Sequence, residues 1–227
     1  MIESESTSPV ATSKLKLRPC MNMAELLDLA NLLTLTGLAA AISSALLAIR
    51  GHLAFAVVAL MVSGVCDLFD GFIARRLKRS AEQEVFGSRL DSIVDGCSFG
   101  FSPLVLAYAA GLNTPWELPI LFMFAGCVVW RLAFFDMIGL QGSGKERYFI
   151  GLPVTYVAMF LPLAFLAGFW GQVWLRACVF VVMLALAAAM ISQVPIRKPS
   201  GIFYVIFPVC GIVLAVVFIA NSSRFLP

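Results

Sequence analysis

The chain has 227 residues, 61% of them hydrophobic and 13% charged, with a net charge of +3 and a mean hydropathy of +0.95. A soluble domain is about 45–50% apolar and about 25% charged, so lipid has to cover much of this surface. That composition excludes an ordinary soluble enzyme, and no nucleic-acid partner is expected. Residues 1–20 are rich in Ser, Thr and Pro and begin acidic. They lack the basic start and apolar core of a signal peptide and read as a disordered cytoplasmic tail before a membrane-embedded domain over 21–227. In "MNMAELLDLA", Met23, Leu26, Leu27 and Ala30 recur at helical spacing, with Glu25 and Asp28 between them. This predicts a short amphipathic helix lying on the membrane surface.

Apolar runs near 31–49, 53–75, 88–110, 117–139, 150–169, 173–192 and 202–221 then follow, each about the 20 residues a bilayer requires. The expected fold is an all-α polytopic transmembrane bundle of about six to seven spans. Lys and Arg set its orientation. With the N-terminus in the cytoplasm, Arg75, Arg76, Lys78, Arg79, Lys145 and Arg147 face that side, while Arg50, Arg176 and Arg224 face the other. Six scattered cysteines carry no metal or disulfide spacing and read as small apolar residues.

Four aspartates interrupt this pattern. Asp67 and Asp70 are three apart at the end of the second run, and Asp91 and Asp95 are four apart at the start of the third. Each pair shares a helix face, and the basic turn between them brings the two faces together. Charge at such depth costs several kcal/mol per group, and four adjacent carboxylates repel unless a cation sits among them. An all-oxygen donor set suits a hard ion, Mg²⁺ or Mn²⁺. Gly71 and Ala74 leave room against the helix backbone, and Arg75 offers a fork for phosphate, so metal, arginine and small residues suit a nucleotide diphosphate. Two other readings stand beside this one: aspartates paired with arginines to hold helices, and an ion path through a channel or transporter.

The pattern DxxDGxxAR…GxxxDxxxD, met by Asp67, Asp70, Gly71, Ala74, Arg75, Gly87, Asp91 and Asp95, resembles the signature of the CDP-alcohol phosphatidyltransferase family. "LDSIVDGCSFGFSPLVLAY", "RYFIGLPVTYVAMFLP" and "MISQVPIRKPSG" resemble segments of that family's phosphatidylserine synthases, and Asn31 and Thr34 in "LANLLTLTG" match a feature of the first span. The resemblance implies a membrane enzyme, expected as a homodimer among membrane lipids, that moves the phosphatidyl group of CDP-diacylglycerol to serine and releases CMP. It implies Asp67, Asp70, Asp91 and Asp95 as metal ligands, with Asp95 also the general base. Asp67, Gly71, Ala74, Arg75, Asn31 and Thr34 would hold the CDP-lipid, and Gly87 would let the catalytic helices approach. Arg131, Lys145 and Arg147 are candidates for an anionic acceptor or the lipid phosphate. Two departures are visible: the linker from Arg75 to Gly87 is longer than the commonest form, and "RLAFFD" keeps Arg131 but has Phe134 and Asp136 where arginine and asparagine are usual. Acceptors other than serine, such as glycerol phosphate, an inositol derivative or an amino alcohol, therefore stay open.

Overall fold

Residues 22–139, 148–197 and 203–225 are described by a computed structural model. The expected tail over 1–20 lies outside the described residues. The architecture is all-α. Its helices are α1 (Leu29–Ile49), α2 (Leu53–Ala74), α3 (Ala81–Asp95), α4 (Ser102–Ala109), α5 (Leu118–Ile138), α6 (Val157–Phe165), α7 (Gln172–Ile191) and α8 (Phe203–Ala220). Among the described residues, five helices are long and apolar enough to cross a membrane, with Ala81–Ala109 running as one rod. Val154–Trp170 and Val205–Ala220 are shorter apolar segments, and together these cover the seven expected positions.

Local chemistry moves two boundaries. The predicted surface helix is a single 3-10 turn, Met23–Leu26, because Asp28 already caps α1 by accepting the Asn31 N–H at 2.8 Å. The third span begins at Ala81 rather than near 88. Ser80 Oγ accepts from Gln83 N at 3.2 Å, and Gln83 Oε1 accepts from Ser80 N at 3.0 Å. This reciprocal cap starts a helix through residues that read as loop.

α1 and α2 form a tight hairpin along small residues. A Cβ on Gly37 would lie 3.1 Å from Cys66 Cβ, and Ser44 Oγ donates to the Ala56 carbonyl at 2.7 Å. Without a hydrophobic drive between helices in lipid, such close contact and interhelical hydrogen bonding hold them together. α6 and α8 pack on α2, α4 on α1, and α5 on α7. Two short strands, β1 (Tyr148–Ile150) and β2 (Pro195–Arg197), pair antiparallel with Phe149 opposite Ile196. Gly151 closes this ladder at φ +77, where a Cβ would lie 2.6 Å from the Met190 carbonyl oxygen, so glycine is required there.

At the far end of α5, Arg176 donates to both oxygens of Glu117, at 2.7 and 2.8 Å, tying α7 to the start of α5. The Arg176 hydrogen bonds, opposed by burial and joined by those of Thr114, hold the Glu117 carboxyl down at about 2 from an ordinary 4.5. A depressed folded-state value contributes stability that is complete above the unfolded value and is lost as pH falls toward the folded one. The wild type in detergent should therefore melt above Glu117→Gln at pH 7, and the gap should close between pH 4.5 and about 2. A gap that persists unchanged at the acid end would show that the contact does not act through this charge.

Candidate metal and phosphate site

α3 packs against α1 rather than along α2, which leaves the site between the two aspartate-bearing helices. Carboxylate oxygens of Asp67, Asp70 and Asp91 all lie within 4.8 Å of one another. Asp95 stands outside that group, with its carboxyl in hydrogen-bond contact with Asp67. Asp70 and Asp95 are buried. Like charges about 4 Å apart repel by about 4 kcal/mol per pair even at an effective dielectric near 20. An all-oxygen trio at this spacing fits a hard divalent ion, and the ion pairs of Asp28, Glu117 and Asp136 use other carboxylates.

A layer of polar contacts behind the aspartates fixes their helices. Thr34 Oγ1 donates to Asp70 Oδ2 at 2.6 Å. Arg79 forks onto Asp28, Nε to Oδ2 at 2.7 Å and Nη2 to Oδ1 at 2.8 Å, and Nη2 also reaches Asn31 Oδ1 at 3.0 Å. Asn31 is fully buried and spends its own amide on the Leu26 carbonyl at 2.7 Å. The Asp28 carboxyl lies below its usual range: burial pushes it up, but the Arg79 hydrogen bonds and charge and the Asn31 N–H outweigh that. Asn31 does not line the cavity described below, and Thr34 reaches the site through Asp70. Gly87 does permit a close approach, but to a different partner than expected. A Cβ there would lie 2.9 Å from Asn31 Oδ1 and 3.1 Å from Arg79 Nη1, so the glycine seats α3 on α1 and the Arg79 clamp, not on α2.

Directly after Asp95 the rod widens into a π-helical segment, Gly96–Phe101. Pro103 lacks the N–H that would bond the Phe99 carbonyl in an α-helix, which favours a looser turn before it. Ser98 and Ser102 are buried there, and neither hydroxyl has a hydrogen-bond partner.

A cavity of about 340 Å³ opens from the aspartates. Asp67, Gly71 and Arg75 line it from α2, Asp91 and Asp95 from α3, and Arg131 and Phe135 from α5, with Pro153–Tyr156 beyond the β ladder. Ala74 is half-buried and is not part of the lining. Lys145 and Arg147 lie outside the described residues. The sequence reading missed Asp28, Arg79 and the role of Asp136, which accepts from Arg89 Nη1 at 3.0 Å and Ser92 Oγ at 2.7 Å. Asp136 thus braces α5 against α3 one residue past Asp91.

The CDP-alcohol phosphatidyltransferase family model matches residues 27–220. The chain belongs to that family. It is 38% identical over 109 residues to a CDP-diacylglycerol–serine O-phosphatidyltransferase of Saccharomyces cerevisiae, a match covering 45% of this chain and 38% of that one. It is 29% identical over 174 residues to an archaetidylserine synthase of Methanothermobacter thermautotrophicus, covering 76% and 71%. A CDP-diacylglycerol–serine O-phosphatidyltransferase of Mycobacterium leprae is 30% identical over 176 residues, covering 73% and 57%. The chain therefore spans well under two thirds of the yeast and mycobacterial relatives' lengths. In this phosphatidyltransferase-family chain, Gly87→Ala should cost about 1–3 kcal/mol, the usual range for overpacking a tight contact. It should also weaken Mn²⁺ binding, because α3 carries Asp91. Thermal unfolding and Mn²⁺ titration followed by electron paramagnetic resonance check both effects together.

Proposed function

We propose that the chain transfers the phosphatidyl group of CDP-diacylglycerol to L-serine, giving phosphatidylserine and CMP. The observation that carries this is the convergence of Asp67, Asp70 and Asp91 within one ligand sphere, on the wall of a cavity that Arg75 and Arg131 also line. Two relatives bear the serine transferase name and a third is named for archaetidylserine, which supports serine as acceptor. The two cavity-lining arginines weigh against a cation path, because each would repel a passing cation.

Asp67, Asp70 and Asp91 are the proposed ligands of Mg²⁺ or Mn²⁺. When bound, such an ion stabilises negative charge on the diphosphate oxygens as a Lewis acid. Gly71 leaves the α2 backbone open beside Arg75, whose Nη1 lies 3.5 Å from where a Gly71 Cβ would sit, and the guanidinium pairs with the diphosphate. Asp95, beside the trio rather than in it, takes the proton of the serine hydroxyl as that oxygen bonds to the phosphorus carrying diacylglycerol. The bond from that phosphorus to the bridging oxygen breaks, and CMP leaves with the electron pair. Positioning of the two substrates in one cavity contributes further. The basic residues of the loops around 75–79 support a site open to the cytoplasm, where serine and CMP are soluble, and the homodimer stays part of the proposal.

In purified protein with CDP-diacylglycerol and serine, CMP release should cease on chelation and return with Mn²⁺ or Mg²⁺. Asp67→Asn, Asp70→Asn and Asp91→Asn should each lower it by about 10³-fold or more. Asp95→Asn should abolish turnover yet keep CDP-diacylglycerol binding. Binding lost in step with turnover would move Asp95 into the metal sphere, and CMP release with glycerol phosphate or an amino alcohol in place of serine would replace the acceptor.

A further inference from the structure

We infer that Trp116, Trp170 and Trp174 form an aromatic girdle that sits in the lipid headgroup layer of the leaflet opposite the aspartate site. The three indoles are 75%, 74% and 61% exposed. They belong to separate segments, but two ties bring those segments to one end of the bundle. Arg176 of α7 bonds Glu117, the neighbour of Trp116, at 2.7 and 2.8 Å. Gln172 Nε2, between Trp170 and Trp174, donates to the Ala110 carbonyl just past α4 at 2.8 Å.

Helix lengths indicate what surrounds this end. Leu118 opens α5 13 residues before Arg131, Ala109 ends α4 14 residues after Asp95, and Leu53 opens α2 14 residues before Asp67. At 1.5 Å per residue each path is about 20 Å, so three helices end at one level on the side away from the carboxylates. α2 and α5 run on past the site to Ala74 and Ile138, about 30 Å from their starts. That is the thickness of a bilayer's hydrocarbon core, about 30 Å. Exposed Arg75, Arg76 and Lys78 follow at the other boundary. Between the two levels the outward surface is apolar, with Phe122 and Val129 exposed on α5 and Val181 and Leu184 on α7. An indole at such a boundary lays its ring among acyl chains and offers its N–H to headgroup and glycerol oxygens. A second copy of the chain is the poorer occupant, because helix seams in lipid rely on small residues for close approach. Trp130 supplies an internal contrast. It is 71% exposed and lies 12 residues past Leu118, about 18 Å further along α5 and near the bilayer centre.

The test is tryptophan fluorescence of the full chain in phosphatidylcholine vesicles, in four variants that each keep one Trp and carry Trp→Phe at the other three. Quenching is measured with lipids brominated high on the acyl chain, near the glycerol, with lipids brominated near the chain end, and with aqueous iodide. For Trp116, Trp170 and Trp174 the ratio of shallow to deep quenching should exceed one, and for Trp130 it should fall below one. Where a variant does not fold, wild type and the matching single Trp→Phe variant give the same ratio by difference. A ratio for the three equal to that of Trp130 would place them in the hydrocarbon core and overturn the inference. Quenching by iodide alone would place them in water, and protection from all three quenchers would show that protein covers them. Either result overturns it as well. None of these outcomes bears on phosphatidyl transfer at the aspartates.

Discussion

Carboxylates forced together where water is scarce repel one another, and most of the structure around the site resists that repulsion. Asp67, Asp70 and Asp91 lie within 4.8 Å of one another, closer than flexible loops would hold them without a cation. They are held because each stands on a helix with its own anchorage. α2 is fixed by its small-residue seam with α1 and by α6 on its other side. α3 is fixed by a glycine seat on α1 and by the Arg79 fork. The helices that carry the aspartates meet through these carboxylates rather than through close backbone packing, so their separation is set largely by the helices around them. A preorganised set of ligands of this kind need not be assembled when substrate arrives.

The same scaffold brings two guanidiniums to one cavity from different helices. Arg75 ends α2, next to the glycine that lets a bulky group reach the backbone, whereas Arg131 comes from α5 within a mostly apolar wall. Arg75 is exposed and stays largely solvated. Arg131, 5% exposed, keeps little of that solvation, so its charge costs more where it stands. The β ladder matters here although it is only three residues long. Just past it, Gly151 and Leu152 donate to the Val194 and Ala189 carbonyls, which holds Pro153–Tyr156 against the cavity.

The parts legible in the sequence were those with a period or a cost. Spans show as apolar runs of bilayer length, and the aspartates stand out because carboxylates in such runs are expensive. The parts that stayed hidden depend on long-range pairing or on single hydrogen bonds. Asp28 and Arg79 are 51 positions apart, and nothing local in either segment announces the other. Asp28 looked like the polar face of a surface helix when it is the N-cap that begins α1. The strands are too short to show alternation, and the π-helical turn leaves no compositional mark beyond Pro103. Ser80 and Gln83 were a readable signal: Ser-x-x-Gln before a helix is a capping box, and heeding it moves the start of the third span to where the structure has it.

That boundary also explains how the long linker after Arg75 is accommodated. Extra residues in a flexible turn would loosen the return of the chain and let Asp91 and Asp95 drift from Asp67 and Asp70. Here about half of the linker is helical, since α3 begins at Ala81 and reaches Gly87 after nearly two turns. Lengthening a helix at its N-terminal end leaves the later residues in place, provided something fixes rotation and height. Gly87 against Asn31 fixes both, because α3 can approach α1 that closely only at the residue without a Cβ. Arg79, immediately before the cap, then ties the free end of the extension back to Asp28. The linker and the part-buried Asp28–Arg79 pair thus act together, making the return of the chain rigid so that the aspartates keep their register.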